Sequence, residues 1–405
     1  MFKTYFTLAL FTFNSLFALS VSLDKAEIVA ENIFSSRNQN TTFVILETET
    51  IRYNNLNLYY IFHLAPKGFI IVAADDRSVP ILGYSFDNNF SSNNQPDHIK
   101  WFMDGFQNQI RETILNNDAQ LFDIRGKWDM YLNGQIPDVR DRSVSPLLSA
   151  RFDQGTTWNA MCPYDSDGPS DHALVGCVAV SMAQVMYYWK YPEYGTGSNQ
   201  YYHQSYGSIS ANFNTFYDYD NMNPNIGTEA SQKLLFHAGV AVEMGYGPDG
   251  SGAWVVGGNP SAYHSMKNYF QFRNDMDYIY PYQYSDTQYR QLLQDELNNN
   301  RPIIYRGYGS DGGHAWNIDG YQGDEFHCNW GWGGYNNGYF PLSTLGGFPG
   351  DQAAIIKIQP EDLNIPNIVM NSFIVSETVG DGDAVANPGE VIDIVMEIEN
   401  MIPWV

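Results

Sequence analysis

Short apolar runs divided by turn-forming residues open the ordered part of this chain, and longer stretches of helical period follow them. Phe43 to Glu47, Tyr59 to Leu64, Phe69 to Ala74 and Val79 to Tyr84 read as strands, with Pro66-Lys67-Gly68 punctuating two of them. Together they predict a small antiparallel sheet. From Asp97 onward Ile99, Phe102, Met103, Phe106, Ile110 and Ile114 recur at helical spacing, so one helix face is expected to cover that sheet. Ile136-Pro137-Asp138-Val139-Arg140-Asp141-Arg142 is polar and without period, as an exposed linker is. Residues 21–143 are therefore expected to form one compact α+β unit.

A second unit is expected over residues 144–360. A helix from Cys177 to Tyr191 is apolar on most sides and stops at Pro192, which predicts a buried central helix. Further helices are expected at Glu229 to Met244, Ser261 to Phe270 and Thr287 to Asn299. Strands follow at Pro302 to Gly307, His314 to Tyr321, Glu325 to Trp330 and Ala353 to Ile358. A helical half followed by a strand-rich half implies an α+β domain of two lobes meeting at a cleft. In residues 361–405 one alternating stretch, Ile392 to Glu399, reads as a half-buried strand. It has no visible partner, so it is expected either to begin a truncated accessory β domain or to dock elsewhere. Asp381-Gly382-Asp383 in this tail reads as a charged turn rather than a calcium ligand set.

Charge and targeting narrow the partners. With 45 acidic residues against 21 basic ones, a formal charge of −24 disfavours nucleic acid and anionic membrane surfaces. Residues 1–20 carry Lys3, an apolar run from Tyr5 to Leu16 and small residues at Ala18-Leu19-Ser20, the pattern of a secretory signal peptide. That run is too short to span a bilayer, and no later run is long enough. The expected location is secreted or periplasmic. The three cysteines, Cys162, Cys177 and Cys328, leave one unpaired if two join in an oxidising compartment.

The chemistry gathers around one of them. Cys177 follows Gly176 at the first turn of the predicted central helix, where a helix N-terminus favours thiolate. The interval from Cys177 to His314 falls inside the ~130 to 150 residues that separate nucleophile from base in papain-type enzymes. Asn329 opens Asn329-Trp330-Gly331-Trp332-Gly333-Gly334, and a strand turn at Gln322-Gly323-Asp324 is expected to return it beside His314, where it can orient the imidazole under cover of Trp330. Gln154 precedes the helix and can join the Cys177 N–H as an oxyanion donor. Each residue also has a plain packing role open to it. The loop Tyr246 to Trp254 is either a cleft wall or ordinary surface, and His172 reads as exposed.

Gln154-Gly155, Gly176-Cys177-Val178-Ala179 with Ala183-Gln184, Gly313-His314-Ala315 and Asn329 to Gly334 together resemble the streptopain family of papain-like cysteine peptidases. The segment Gly68 to Arg77 is similar to that family's inhibitory prodomain. The resemblance implies a papain-like fold made as a self-inhibited zymogen, with residues 21–143 as the intramolecular inhibitor. It implies Cys177 as nucleophile, His314 as base, Asn329 as orienting residue, Trp330 as its cover and Gln154 as oxyanion donor. Protein or peptide substrates follow, often with a hydrophobic residue two before the scissile bond, and no cofactor or metal is implied. Cys162 and Cys328 depart from the single catalytic cysteine associated with the family, and a disulfide between them would leave Cys177 free. Two other readings compete: another cysteine acyl-transfer enzyme, such as an amidase or a transglutaminase-like protein, and a non-catalytic adhesion or binding module.

Overall fold

The computed structural model describes residues 20–38, 41–93, 95, 97–139, 142–309, 312–343, 352–361, 368–379 and 391–400. Residues 1–19 of the expected signal peptide and Asp381-Gly382-Asp383 lie outside these residues, as do Arg140 and Asp141 of the linker. The described residues begin with helix α1 (Leu23–Arg37), capped by Ser22 and burying Ala26, Val29, Ala30, Ile33 and Phe34. Strands β1 (Ile45–Tyr53), β2 (Leu56–Leu64), β3 (Phe69–Ala73) and β4 (Ile81–Ser85) form the expected antiparallel meander. Helices α2 (Asp97–Leu115) and α3 (Phe122–Leu132) follow. Ile99, Phe102, Met103, Phe106 and Ile110 of α2 are all buried, as the helical spacing requires. The linker then enters a two-residue strand β5 (Ser143–Val144).

The helical half holds α4 (Cys177–Trp189), the hairpin β6 (Ser198–His203) and β7 (Gly207–Asn212), α5 (Glu229–Ala241) and α6 (Ala262–Asn268). The other half holds β8 (Asp277–Ile279), α7 (Asp286–Asn298), β9 (Ile303–Gly309), β10 (Gly312–Gln322), β11 (Glu325–Asn329), β12 (Gly338–Phe340) and β13 (Gln352–Ile356). Cys177 to Met186 is buried throughout, so α4 is the buried central helix that the sequence predicts.

One feature corrects the expectation of a small, self-contained sheet. The order β1-β2-β3-β4-β12-β11-β10-β9-β13-β8, with β5 alongside β10, makes one eleven-stranded sheet that crosses from the N-terminal region into the second half. The junction is a single pairing, Tyr84 with Tyr339, whose rings stack at 5.3 Å. Residues Met1–Ile358 accordingly form one compact unit. Because strand side chains alternate between faces, the sheet divides two cores. Tyr305, Trp316 and Ile318 join one with Phe62, Phe69 and Phe102 of the N-terminal region. Ile304 and Ala315 join the other with α4 and α5.

Gln359–Val405 is a unit of its own. Here β14 (Ile368–Val379) pairs antiparallel with β15 (Val391–Asn400), so the strand expected to stand alone does have a partner nearby in the chain. The sequence pattern of β14 alternates less cleanly than that of β15 and gives a weaker strand signal. Among the described residues no helix is long and apolar enough to cross a membrane.

Candidate active site

Gly176 shapes the start of α4. Its φ of 92° is one that side chains rarely adopt, and a Cβ there would stand 2.6 Å from Met244 Sδ. Glycine thus lets the chain turn sharply and present Cys177 as the first residue of the helix. Cys177 is buried, and burial pushes its thiol pKa up, while the backbone N–H groups of Ala315, Val178 and Cys177 pull it back. The Ala315 N–H is the informative one, because it brings the strand residue next to His314 onto the sulfur.

His314 pairs across β9–β10 with Gly307, and Ala315 with Arg306. Alternation puts His314 in phase with Trp316, on the face that meets the N-terminal region. There the ring of Trp101, from α2, lies 5.8 Å from the imidazole and 6.4 Å from Trp316. Gly307 makes room for it: a Cβ at that position would stand 2.0 Å from Trp101 Cη2. His314 and Val178 both line an open cavity of about 580 Å³ whose wall includes Gly252, Ala253 and Trp254, the end of the Tyr246 to Trp254 loop.

The expected strand turn is present, with Gln322 opposite Glu325, and its register sets Asn329 across from Asn317. The Asn329 amide donates to Ala150 O at 2.8 Å, and its carbonyl accepts from Gly331 N at 3.2 Å. Trp330 is buried, with its Nε1 on Asn336 O and its ring 5.1 Å from Phe102 and 5.3 Å from Trp316. Gln154 is buried as well, and its carbonyl accepts from Val175 N, two residues before Cys177. His172 is partly exposed and bonds the Ser170 carbonyl, away from this chemistry.

Several supporting residues had no role assigned to them from the sequence. Asp153 Oδ1 accepts from the Gln154 and Gly155 N–H groups at 2.6 and 2.9 Å, which fixes the backbone of the glutamine loop. The Gln184 amide accepts from Phe152 N and donates to Asn317 Oδ1, tying that loop, α4 and β10 together. Buried Asp319 receives Leu148 N at 3.0 Å and meets His327 Nδ1 at 2.6 Å, holding the segment that leads from the linker toward Gln154. The Asp-Gln-Gly turn signal could have disclosed Asp153. The others needed the strand register.

The suggested disulfide is not formed. All three cysteines are free, and Cys162 lies in the core around α4 while Cys328 lies in the core on the other side of the sheet. Burial pushes the Cys162 thiol up to about 12, with a bond from Tyr246 opposing it, so this thiol packs as an apolar group.

A buried helix-start cysteine, a strand histidine on the cavity that its neighbour Val178 also lines and an N-terminal region packed onto that histidine fit a latent papain-like cysteine peptidase. Comparison with known proteins agrees. Residues 152–340 match the Peptidase C10 family, and residues 18–110 match the Spi protease inhibitor family. The chain is 30% identical to streptopain of Streptococcus pyogenes over 338 residues, covering 74% of this chain and 80% of that protein. It is 28% identical to the thiol protease/hemagglutinin PrtT of Porphyromonas gingivalis over 396 residues, covering 87% of this chain and 43% of that longer relative. The structure of a prointerpain A fragment from Prevotella intermedia superposes with a TM-score of 0.64 at 30% identity, covering 78% of this chain and 99% of that one. The chain belongs to the Peptidase C10 family of cysteine peptidases and carries an inhibitor-like N-terminal region.

Proposed function

We propose that Cys177 is the nucleophile and His314 the base of a secreted endopeptidase, and that residues 21–143 are an inhibitory prodomain removed by cleavage between Gly134 and Ser145. The observation that carries this reading is that Val178, the residue after Cys177, and His314 line one cavity, while Trp101 packs on the imidazole. With Trp101 gone, the imidazole is free to turn toward the sulfur and take its proton. The thiolate then attacks the substrate carbonyl carbon, and the oxyanion meets the Gln154 amide and the Cys177 N–H. Imidazolium returns its proton to the leaving amine as the C–N bond breaks, leaving a thioester. Water, deprotonated by His314, releases the acid and restores the thiol. Asn329 orients the imidazole and Trp330 keeps water from that contact. Residues 1–20 direct export and are absent from the working enzyme.

The test is Cys177→Ala in the full chain. The variant should fold, accumulate untrimmed, and be cut only when active enzyme is added in trans. Self-trimming at the parental rate would sink the assignment, and casein incubated with the parent should yield new peptide N-termini, which an amidase would not produce.

A further inference from the structure

The cavity beside Val178 and His314 has apolar walls, including Val242, Val255 and Trp254, yet it also holds two charged residues, Glu243 and Arg306. Their surroundings differ. Glu243 is exposed at the rim, on a left-handed turn with φ 50°. Arg306 stands on β9 opposite Ala315, so alternation sends its side chain from the sheet on the face that carries Ala315 and the Cys177 sulfur. Its guanidinium carbon lies 5.8 Å from the Tyr280 ring centroid. Its Nε is buried from solvent and has no hydrogen-bond partner.

Arg306 lines the cavity with that Nε out of reach, and a carboxylate is the group that best meets a guanidinium beside apolar walls, through charge-assisted and often bidentate bonds. The exposed Glu243 charge is screened by water and salt and weighs less. We propose that Arg306 makes this cavity a substrate subsite for an acidic side chain, whose methylene stem lies along the apolar wall. Arg306 thereby sets a charge preference on a pocket whose walls alone would select for size. The inference rests on the reading of Cys177 and His314 as the reacting pair, since it is their neighbourhood that makes the cavity a substrate site.

The test uses trimmed enzyme and a peptide series in which each of the three residues before the scissile bond is in turn Glu, Gln, Lys or Leu. At one position the parent should cleave the Glu peptide about 10- to 100-fold better than the Gln peptide in kcat/KM, the scale of a charge-assisted bond. The ratio should fall to about one in Arg306→Gln, reverse toward Lys in Arg306→Glu, and rise in Glu243→Gln. A parent ratio of one at every position overturns the proposal, as does a ratio that survives Arg306→Gln. Preference for Lys that vanishes in Glu243→Gln would overturn it and hand the pocket to Glu243. A parent that cleaves no peptide, with Cys177 unreactive to a thiol-directed epoxide, overturns the underlying site instead. The internal Glu/Gln ratio keeps the readout independent of any loss of active protein in a variant.

Discussion

Gly307→Ala should unlock the precursor while leaving the trimmed enzyme's fold alone. In a strand alanine is no burden, and the three nearest atoms its Cβ would meet all belong to Trp101, at 2.0, 2.4 and 3.1 Å. Ordinary contact begins at 3.4 Å, so the indole edge must retreat by about 1.4 Å. The helix cannot slide to accommodate this, because Ile99, Phe102 and Met103 on either side of Trp101 are buried. The displacement therefore falls on the Trp101 side chain, which leaves His314 and Trp316. Overpacking of this kind costs about 1 to 3 kcal/mol, or roughly a 5- to 150-fold rise in the population with His314 uncovered. Self-trimming of the full chain, followed by gel and mass spectrometry, should accelerate by that factor. Thermal unfolding should show the loss in the precursor and not in the trimmed protein, and Trp101→Ala should absorb the effect in a double-mutant cycle. Equal destabilisation of both forms, or additive effects of the two substitutions, would refute the reasoning.

Three further outcomes are expected. Because burial raises the Cys177 pKa, the thiol of the uncut chain is protonated at neutral pH, so its alkylation by iodoacetamide should climb only on the alkaline side of the ordinary ~8.5; an uncut chain that reacts at pH 6 as fast as trimmed enzyme contradicts this. Burial pushes the Asp324 carboxyl up, but Lys127, Arg290 and Arg142 outweigh it and hold it below its ordinary value. The Lys127 bond at 2.8 Å thus contributes above the ordinary ~3.9 and is lost as pH falls through the lowered value. Lys127→Met should then cost under ~1 kcal/mol of precursor stability at pH 7, measured by urea unfolding, and nothing once Asp324 is protonated. Finally, denatured, unreduced protein should titrate three thiols with Ellman's reagent, where a Cys162–Cys328 disulfide would leave one.

Much of this was legible in the chain because the signals were local. Glycine before cysteine at a helix start, the alternation through β10 and the spacing of Ile99, Phe102 and Phe106 each follow from a few adjacent residues. Helix α1 carried the same kind of signal, Ser22 as cap and Ala26, Val29, Ala30 and Ile33 at helical spacing, and was readable. The β6–β7 hairpin was not, since its residues are largely polar and only Ile209 and Ala211 are buried. The join between β4 and β12 lies beyond local reading altogether, because it depends on residues hundreds of positions apart coming into register. The same holds for Trp101. Nothing in its own helix separates it from Phe102, and only the missing side chain of Gly307 discloses where it goes.

That join also explains why cutting and release are separate events. The proposed cut between Gly134 and Ser145 would break one covalent connection, but the N-terminal region is also held by Tyr84 on Tyr339, by Phe102 on Trp330 and Phe340, and by Ser91 on Asn336. These aromatic contacts bury a shared core, which peptide hydrolysis does not dissolve. The strands that carry His314 and Asn329 keep their own pairing, β9 to β10 and β10 to β11, whether or not β4 stays. The ladder that carries the site therefore does not run through the prodomain strands, while the prodomain meets the aromatic face of β12. Latency in this architecture is a binding equilibrium made intramolecular by the linker. The proposed cut would then act by removing the high effective concentration that keeps Trp101 on His314.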